Sequence, residues 1–164
     1  MTAPGSDRMV AAVDIDGVLA DVRHRLHHVR AAPKDWAAFF AAAPDDPVLP
    51  EGRETAERLA EVFEVVYLSG RPEHCRDDTV AWLTRHALPP GRLLLRPLGD
   101  RRPARLLKVE RLRQLAAERS VAVLVDDDPM VLDAAREAGF DVLPADWMPQ
   151  DDTLRQAQEV QGET

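Results

Sequence analysis

Three short apolar runs close on polar residues, and the intervals between them are long enough to hold helices. They are Met9–Ile15 (MVAAVDI), Phe63–Leu68 (FEVVYL) and Val121–Val125 (VAVLV). Continuous apolar runs of this length suit strands buried on both faces, as in a parallel sheet. Arg92–Leu95 and Asp141–Leu143 are weaker strand candidates. Helical patterns fill the intervals over Glu51–Glu61, Arg76–His86, Ala104–Arg119 and Met130–Ala138, and Gly139 is placed to cap the last. Parallel strands joined by right-handed crossovers carry helices on both faces. The expected fold is therefore three-layer α/β/α, a Rossmann-like parallel sheet. Residues 21–50 break the alternation with His24–His28, a short helical candidate at Trp36–Ala43 and a Pro-rich loop. They read as a small lid inserted after the first strand. Residues 1–8 and the polar stretch 149–164 read as mobile tails around one domain at 9–148, with no internal repeat.

Composition narrows the class. Hydrophobic residues make up 45%, enough for a globular core, and no apolar run is long enough to span a bilayer. The start, MTAPGSDR, lacks the features of a secretory signal, and the single Cys75 suits a reducing compartment, so a cytoplasmic location is expected. A net charge of −8 argues against coating nucleic acid by bulk electrostatics. The charge is uneven, with +6 over Arg71–Arg113 and −14 over the rest. That segment reads either as solvated helix faces or as a local field that draws a phosphorylated substrate.

In open α/β sheets ligands bind beyond the carboxyl ends of the strands. The first run ends in Asp14-Ile-Asp16-Gly17, the second in Ser69-Gly70-Arg71 and the third in Asp126-Asp127-Asp128. One acidic strand end is an ordinary turn or cap. Several that converge repel one another unless a cation holds them, and oxygen-only ligation favours magnesium, Mg2+.

The ordered set VAAVDIDGVLAD, VYLSGR, Lys108 and VLVDDD resembles the haloacid dehalogenase superfamily on its phosphatase side, over roughly Met9 to Trp147. The resemblance implies that Asp14 attacks phosphorus to give an aspartyl phosphate, and that Asp16 protonates the leaving oxygen and later deprotonates water. Gly17 lets the chain turn sharply after the strand. Magnesium would be held by Asp14, the Asp16 carbonyl and Asp126 or Asp127, either of which can be the ligand. Ser69 and nearby backbone N–H groups would bond phosphoryl oxygens, and Lys108 would add a fixed positive charge.

A narrower similarity is to the 3′-phosphatase domain of bacteriophage polynucleotide kinase and its small bacterial relatives. It rests on the Ser-Gly-Arg turn, on Thr79, Trp82 and Leu83, and on Arg96, Pro97, Gly99, Asp100 and Lys108. By that similarity Gly70, Arg71 and Arg25 meet phosphate, and Asp100 holds a basic side chain in place. Val18 replaces a common Thr, and no GxxxxGK[ST] loop occurs in the sequence. The expected function is a magnesium-dependent phosphomonoesterase for a nucleotide or a nucleic-acid 3′-phosphate end, with a separate kinase or ligase as an expected partner. A small-molecule phosphatase (mononucleotide or sugar phosphate) and a catalytically silent partner subunit are the alternatives. A receiver-type switch is set aside because the acidic pair Asp126–Asp127 comes late in the chain. Oligomeric state stays open.

The plainer readings concern the remaining residues. Asp128 before Pro129 reads as a helix N-cap. His24, His27 and His28 lack the spacing of a zinc site, although His24 is placed to touch substrate. Trp36, Phe39 and Phe40 read as lid packing, with base stacking as the alternative. Trp82 reads as core, and Cys75 as incidental to the chemistry.

Overall fold

The computed structural model describes residues 7–164, so most of the expected tail at 1–8 lies outside the described residues. Five strands, β1 (Val10–Val13), β2 (Glu64–Pro72), β3 (Arg92–Arg96), β4 (Val121–Asp126) and β5 (Val142–Pro144), form one sheet in the order β3-β2-β1-β4-β5. Every pairing is parallel. The helices are α1 (His27–Arg30), α2 (Trp36–Ala41), α3 (Pro50–Val62), α4 (Arg76–Arg85), α5 (Ala104–Glu118), α6 (Pro129–Glu137) and α7 (Asp152–Gln156).

Side chains alternate along each strand, so one run of apolar residues serves both layers. Val13, Val65, Tyr67 and Val125 pack with Ala56 of α3 and with Trp82 and Leu83 of α4. Ala12, Leu68 and Leu124 pack with Ala104 and Leu112 of α5 and with Val131 and Ala135 of α6. Burial on both sides explains why the strands read as unbroken apolar runs. Pro50 and Pro129 each occupy the first turn of a helix, where the missing N–H costs nothing. Asp128 caps α6 by accepting from Met130 N at 2.9 Å. Gly139, with φ of +92°, lets the chain leave that helix.

The strand order reverses at β1, which runs between β2 and β4. Chain leaving β1 and β4 diverges there, opening a crevice at their carboxyl ends. The insertion between β1 and α3 covers this end with its own small core of Val22, Leu26, Val29, Phe39, Phe40 and Leu49. Met148 and Leu154, from the far end of the chain, complete that core.

The C-terminal stretch departs from the expected tail. After α7, capped by Asp151, residues Ala157–Gln161 form a π-helical turn that ends at Gly162. Thr164 is buried. Apolar and electrostatic contacts both hold this stretch: Leu154 joins the core of the insertion, and Asp151 pairs with Arg30, Glu159 with Arg105 and Glu163 with Arg101.

Candidate active site

Asp14 follows the last residue of β1, and its backbone N–H donates to Val125 O across the sheet. Its carboxylate is fixed on both oxygens. Oδ1 accepts from Ile15 N at 2.7 Å, and Oδ2 lies 3.0 Å from Lys108 Nζ. Lys108 reaches in from α5, fully buried, and its other partner is Asp126 Oδ2 at 2.6 Å. Asp126 in turn accepts from Asp128 N at 3.0 Å.

Asp127 completes the group. One oxygen each from Asp14, Asp126 and Asp127 lie within 4.8 Å of one another. Asp127 Oδ1 is buried without a hydrogen-bond partner. A Cβ on Gly17, whose φ is +79°, would fall 2.2 Å from Asp127 Oδ2. The glycine of Asp-Ile-Asp-Gly thus makes room for the carboxylate of a different strand, besides allowing the turn.

Two buried carboxyls share one ammonium with a third, half-buried carboxyl beside them, and their proton affinities follow. Burial pushes Asp14 up to about 8, against the pull of Lys108. Burial and the neighbouring Asp126 charge raise Asp127 well above the carboxylate range. A divalent cation would relieve this excess negative charge and use the orphaned oxygen. The donor set is all oxygen, which fits a hard ion such as magnesium.

Asp16 behaves in the opposite way. Burial alone would raise it, but the charges of Arg71 and Arg25 overcome that and lower it to about 2. Its Oδ1 accepts from Arg25 Nη2 at 2.9 Å and from Arg71 Nε and Nη2 at 3.0 and 2.6 Å. Oδ2 is buried and unpartnered. Arg71 extends from the end of β2 and is held by Thr79 Oγ1 at 3.1 Å. Arg25 comes from the insertion and lies over the Phe39 ring, 4.2 Å from its centre. Ser69 Oγ accepts from Arg71 N at 3.1 Å, inside the extended end of β2 rather than in the turn expected from sequence.

Of the residues singled out from sequence, the structure brings Asp14, Lys108, Asp126 and Asp127 into one cluster. It brings Asp16, Arg25 and Arg71 into a second beside it, with Ser69 and Gly70 in the end of β2. The Asp16 carboxylate faces the arginines rather than the other carboxylates. Asp100 stands apart, in the loop after β3. It grips Arg102, with the shortest contact at 2.7 Å, and lies 3.8 Å from Arg96.

One central residue has no counterpart among the sequence expectations. Asp46 is buried, accepts from Arg25 Nε and Nη2 at 2.8 Å each and from Arg71 Nη2 at 3.1 Å, and meets His24 Nε2 at 2.7 Å. It lies in Pro44-Asp-Asp-Pro47, which reads as an ordinary turn. The available signal was the second arginine: two buried guanidinium groups need more than one carboxylate.

The family described as the polynucleotide kinase PNKP phosphatase domain matches residues 8–146. The chain belongs to this family. It is thus a phosphatase-type hydrolase of the haloacid dehalogenase superfamily. Among solved structures it is similar to a chain of the Pnkp1/Rnl/Hen1 RNA repair complex, at 21% identity and a TM-score of 0.68, over 84% of this chain and 42% of that one. This chain therefore spans about two fifths of the length of that relative. A haloacid dehalogenase-like hydrolase from Streptococcus pneumoniae is 15% identical with a TM-score of 0.59, over 94% of this chain and 92% of that one. The HAD-hydrolase YfnB from Bacillus subtilis, bound to magnesium, is 11% identical with a TM-score of 0.55, over 82% of this chain and 87% of its own. No curated protein matches. Among the described residues no helix is long and apolar enough to cross a membrane.

Proposed function

We propose that this PNKP-type phosphatase is a magnesium-dependent phosphomonoesterase that works through an aspartyl phosphate on Asp14, and that its substrate is the 3′-phosphate end of a nucleic acid. The observation that carries the chemistry is the contrast between the two carboxyls of Asp-Ile-Asp. One is pinned toward a lysine among acids, and the other is flanked by arginines with one oxygen free. Pairs of carboxyls driven apart in proton affinity mark division of labour. With neither metal nor phosphate bound, the two run opposite to the roles of nucleophile and general acid, and magnesium on Asp14 and phosphate on the arginines would reverse both.

Asp14, Asp126 and Asp127, with the Asp16 carbonyl, would hold the magnesium. When bound it supplies charge that offsets the incoming phosphate. The Asp14 carboxylate attacks phosphorus, the bond to the leaving oxygen breaks, and Asp16 gives that oxygen a proton. Water then attacks phosphorus, Asp16 takes the water's proton, and Asp14 is released with inorganic phosphate. Arg25 and Arg71 link the steps. A phosphate dianion entering between them shares their charge, so Asp16 loses the support that holds it ionised, and burial then favours its protonated form. Ser69 and the Gly70 N–H would bond phosphoryl oxygens, and Lys108 holds Asp14 in line. Asp100 acts at a distance by fixing Arg102. Residues 21–50 serve as the lid of one domain at 9–148, in the cytoplasm.

The substrate end of the reading is supported by the family and by the similarity to a chain of an RNA repair complex. A kinase or a ligase is the partner class it implies. Phosphate release from 3′-phosphorylated DNA and RNA oligomers, 3′- and 5′-mononucleotides and an aryl phosphate, with and without magnesium, tests it. Magnesium-dependent release with preference for polymer 3′ ends is expected. Preference for mononucleotides or sugar phosphates would overturn the substrate, and no release from any would overturn the activity.

A further inference from the structure

The groups assigned to the chemistry are closed off. Asp14, Asp16, Ser69, Arg71, Lys108 and Asp126 are each at most 6% exposed. Part of what covers this end of the sheet is the stretch of residues 150–164. The Gln150 side-chain amide donates to Asp127 O at 2.7 Å, beside β4. Fourteen residues on, Thr164 lies against Gly70 beside β2, where a Cβ on the glycine would meet the Thr164 carbonyl carbon at 2.2 Å. Arg96 bonds both, donating to Gly70 O at 3.2 Å and to Thr164 O at 3.3 Å.

Between those points the segment pairs acidic and amide groups with three cations. Glu159 meets Arg105 at 2.6 Å, Gln161 accepts from Lys34 at 3.3 Å, and Glu163 pairs with Arg101. The three cations come from three places: the insertion, the loop after β3 and the start of α5. Beside them is a cleft of about 280 Å³ walled by Trp36, Phe40, His74, Arg96 and Arg101. Cations near aromatic rings suit single-stranded nucleic acid, with phosphates on the charges and bases on the rings.

We propose that Lys34, Arg101 and Arg105 form a track along which a phosphodiester strand reaches Ser69-Gly70-Arg71, with the Trp36 cleft beside it for bases, and that residues 159–164 occupy this track as the chain's own stand-in for the strand. This rests on the reading that the substrate is a nucleic-acid end. Leu154, Ala157, Gln158 and Thr164 are buried and anchor the segment, whereas the Glu163–Arg101 pair lies nearer the surface, where ion pairs are weak and salt-sensitive. A strand therefore competes with the carboxylates of Glu159 and Glu163 and also displaces the buried Thr164 from Gly70.

The test is affinity of the full chain for a single-stranded oligonucleotide with a 3′-hydroxyl, which cannot turn over, measured by fluorescence anisotropy across a salt series. Arg101→Gln/Arg105→Gln is expected to weaken binding on the order of tenfold and to reduce the salt slope by about 1.4, the value for two lost phosphate contacts on a single strand. Glu159→Gln/Glu163→Gln, which removes the two charges at nearly constant shape, is expected to tighten binding. Lys34→Gln, a smaller change at the rim, serves as a second probe if the double arginine variant does not fold. Unchanged affinity and slope in the arginine and lysine variants would overturn the track, and weaker binding in the glutamate variant would overturn its occupation by residues 159–164. Phosphate release from an aryl phosphate reads the activity separately: its absence with strand binding intact would defeat the proposed function and leave the track standing.

Discussion

Arg71 donates to one oxygen of Asp16 from both Nε and Nη2, at 3.0 and 2.6 Å, and leaves the other oxygen buried and free. A guanidinium that saturates one side of a carboxylate fixes its plane and charge, and sets the unpaired oxygen apart for proton exchange. Because Asp16 sits at about 2 rather than near its usual 3.8, the pair stabilises the fold above about pH 4. That contribution is lost as pH falls from about 4 to 2. Arg71→Gln is expected to flatten this part of the acid-unfolding curve and to lower kcat/KM by about 10- to 100-fold, the scale of a charged hydrogen bond. Thermal melts from pH 2 to 5 beside steady-state kinetics check both.

The carboxyl cluster gives the opposite pH dependence. Asp14, raised to about 8, and Asp127, also raised, bind protons in the fold at pH values where the unfolded chain has lost them. The metal-free protein is therefore expected to lose stability as pH rises from about 4 to 8. Magnesium opposes that loss, so its effect on Tm grows with pH. Asp127→Asn removes a charged oxygen that has no partner. It should raise the metal-free Tm at pH 8, by a free energy of about 1 to 3 kcal/mol, and abolish the response to magnesium. Differential scanning fluorimetry with and without magnesium at pH 5.5 and 8 decides this.

Lys108 is the only cation bonded to Asp14 and Asp126 among the described residues. Lys108→Met leaves both carboxylates buried without it. A loss of about 3 to 5 kcal/mol in the metal-free protein is expected, as for other buried pairs broken on one side, with partial recovery in magnesium. Urea unfolding in both conditions measures it.

Much of the fold was legible because a parallel strand buried on both faces leaves a continuous apolar run. Val121–Val125 and Phe63–Leu68 fall on β4 and β2, and the four long helical patterns fall on α3 to α6. β2 runs on to Pro72 because Ser-Gly-Arg continues the extended chain, which no apolar pattern records. The acidic and Ser-Gly-Arg strand ends were legible for the same reason, since they interrupt that pattern at a fixed place. Asp46 was not, because its partners Arg25 and Arg71 lie 21 and 25 residues away and it sits in a Pro-Asp-Asp-Pro stretch that reads as a turn. The 149–164 segment was missed because ion pairs to Arg30, Arg101 and Arg105 leave no periodic signal.

Asp46 offers its own prediction. It bridges Arg25 of the insertion to Arg71 of β2, and its carbonyl accepts from Trp82 Nε1 at 2.9 Å. Asp46→Asn keeps the shape and removes the charge that holds both arginines. KM for the phosphate ester is expected to change more than kcat, since the arginines lose position while Asp14 does not. An unchanged KM would show that Arg25 and Arg71 hold position without it.

The central claim is that Asp14 carries the phosphoryl group, and acid-quenched single-turnover reactions followed by peptide mapping test it most directly. With enzyme in excess over a 3′-phosphorylated oligomer and magnesium present, a transient phosphoryl group is expected on Asp14, and neither that adduct nor free phosphate in Asp14→Asn. Phosphate release at the wild-type rate by Asp14→Asn, or a phosphoryl group mapped to any other residue, would contradict the account.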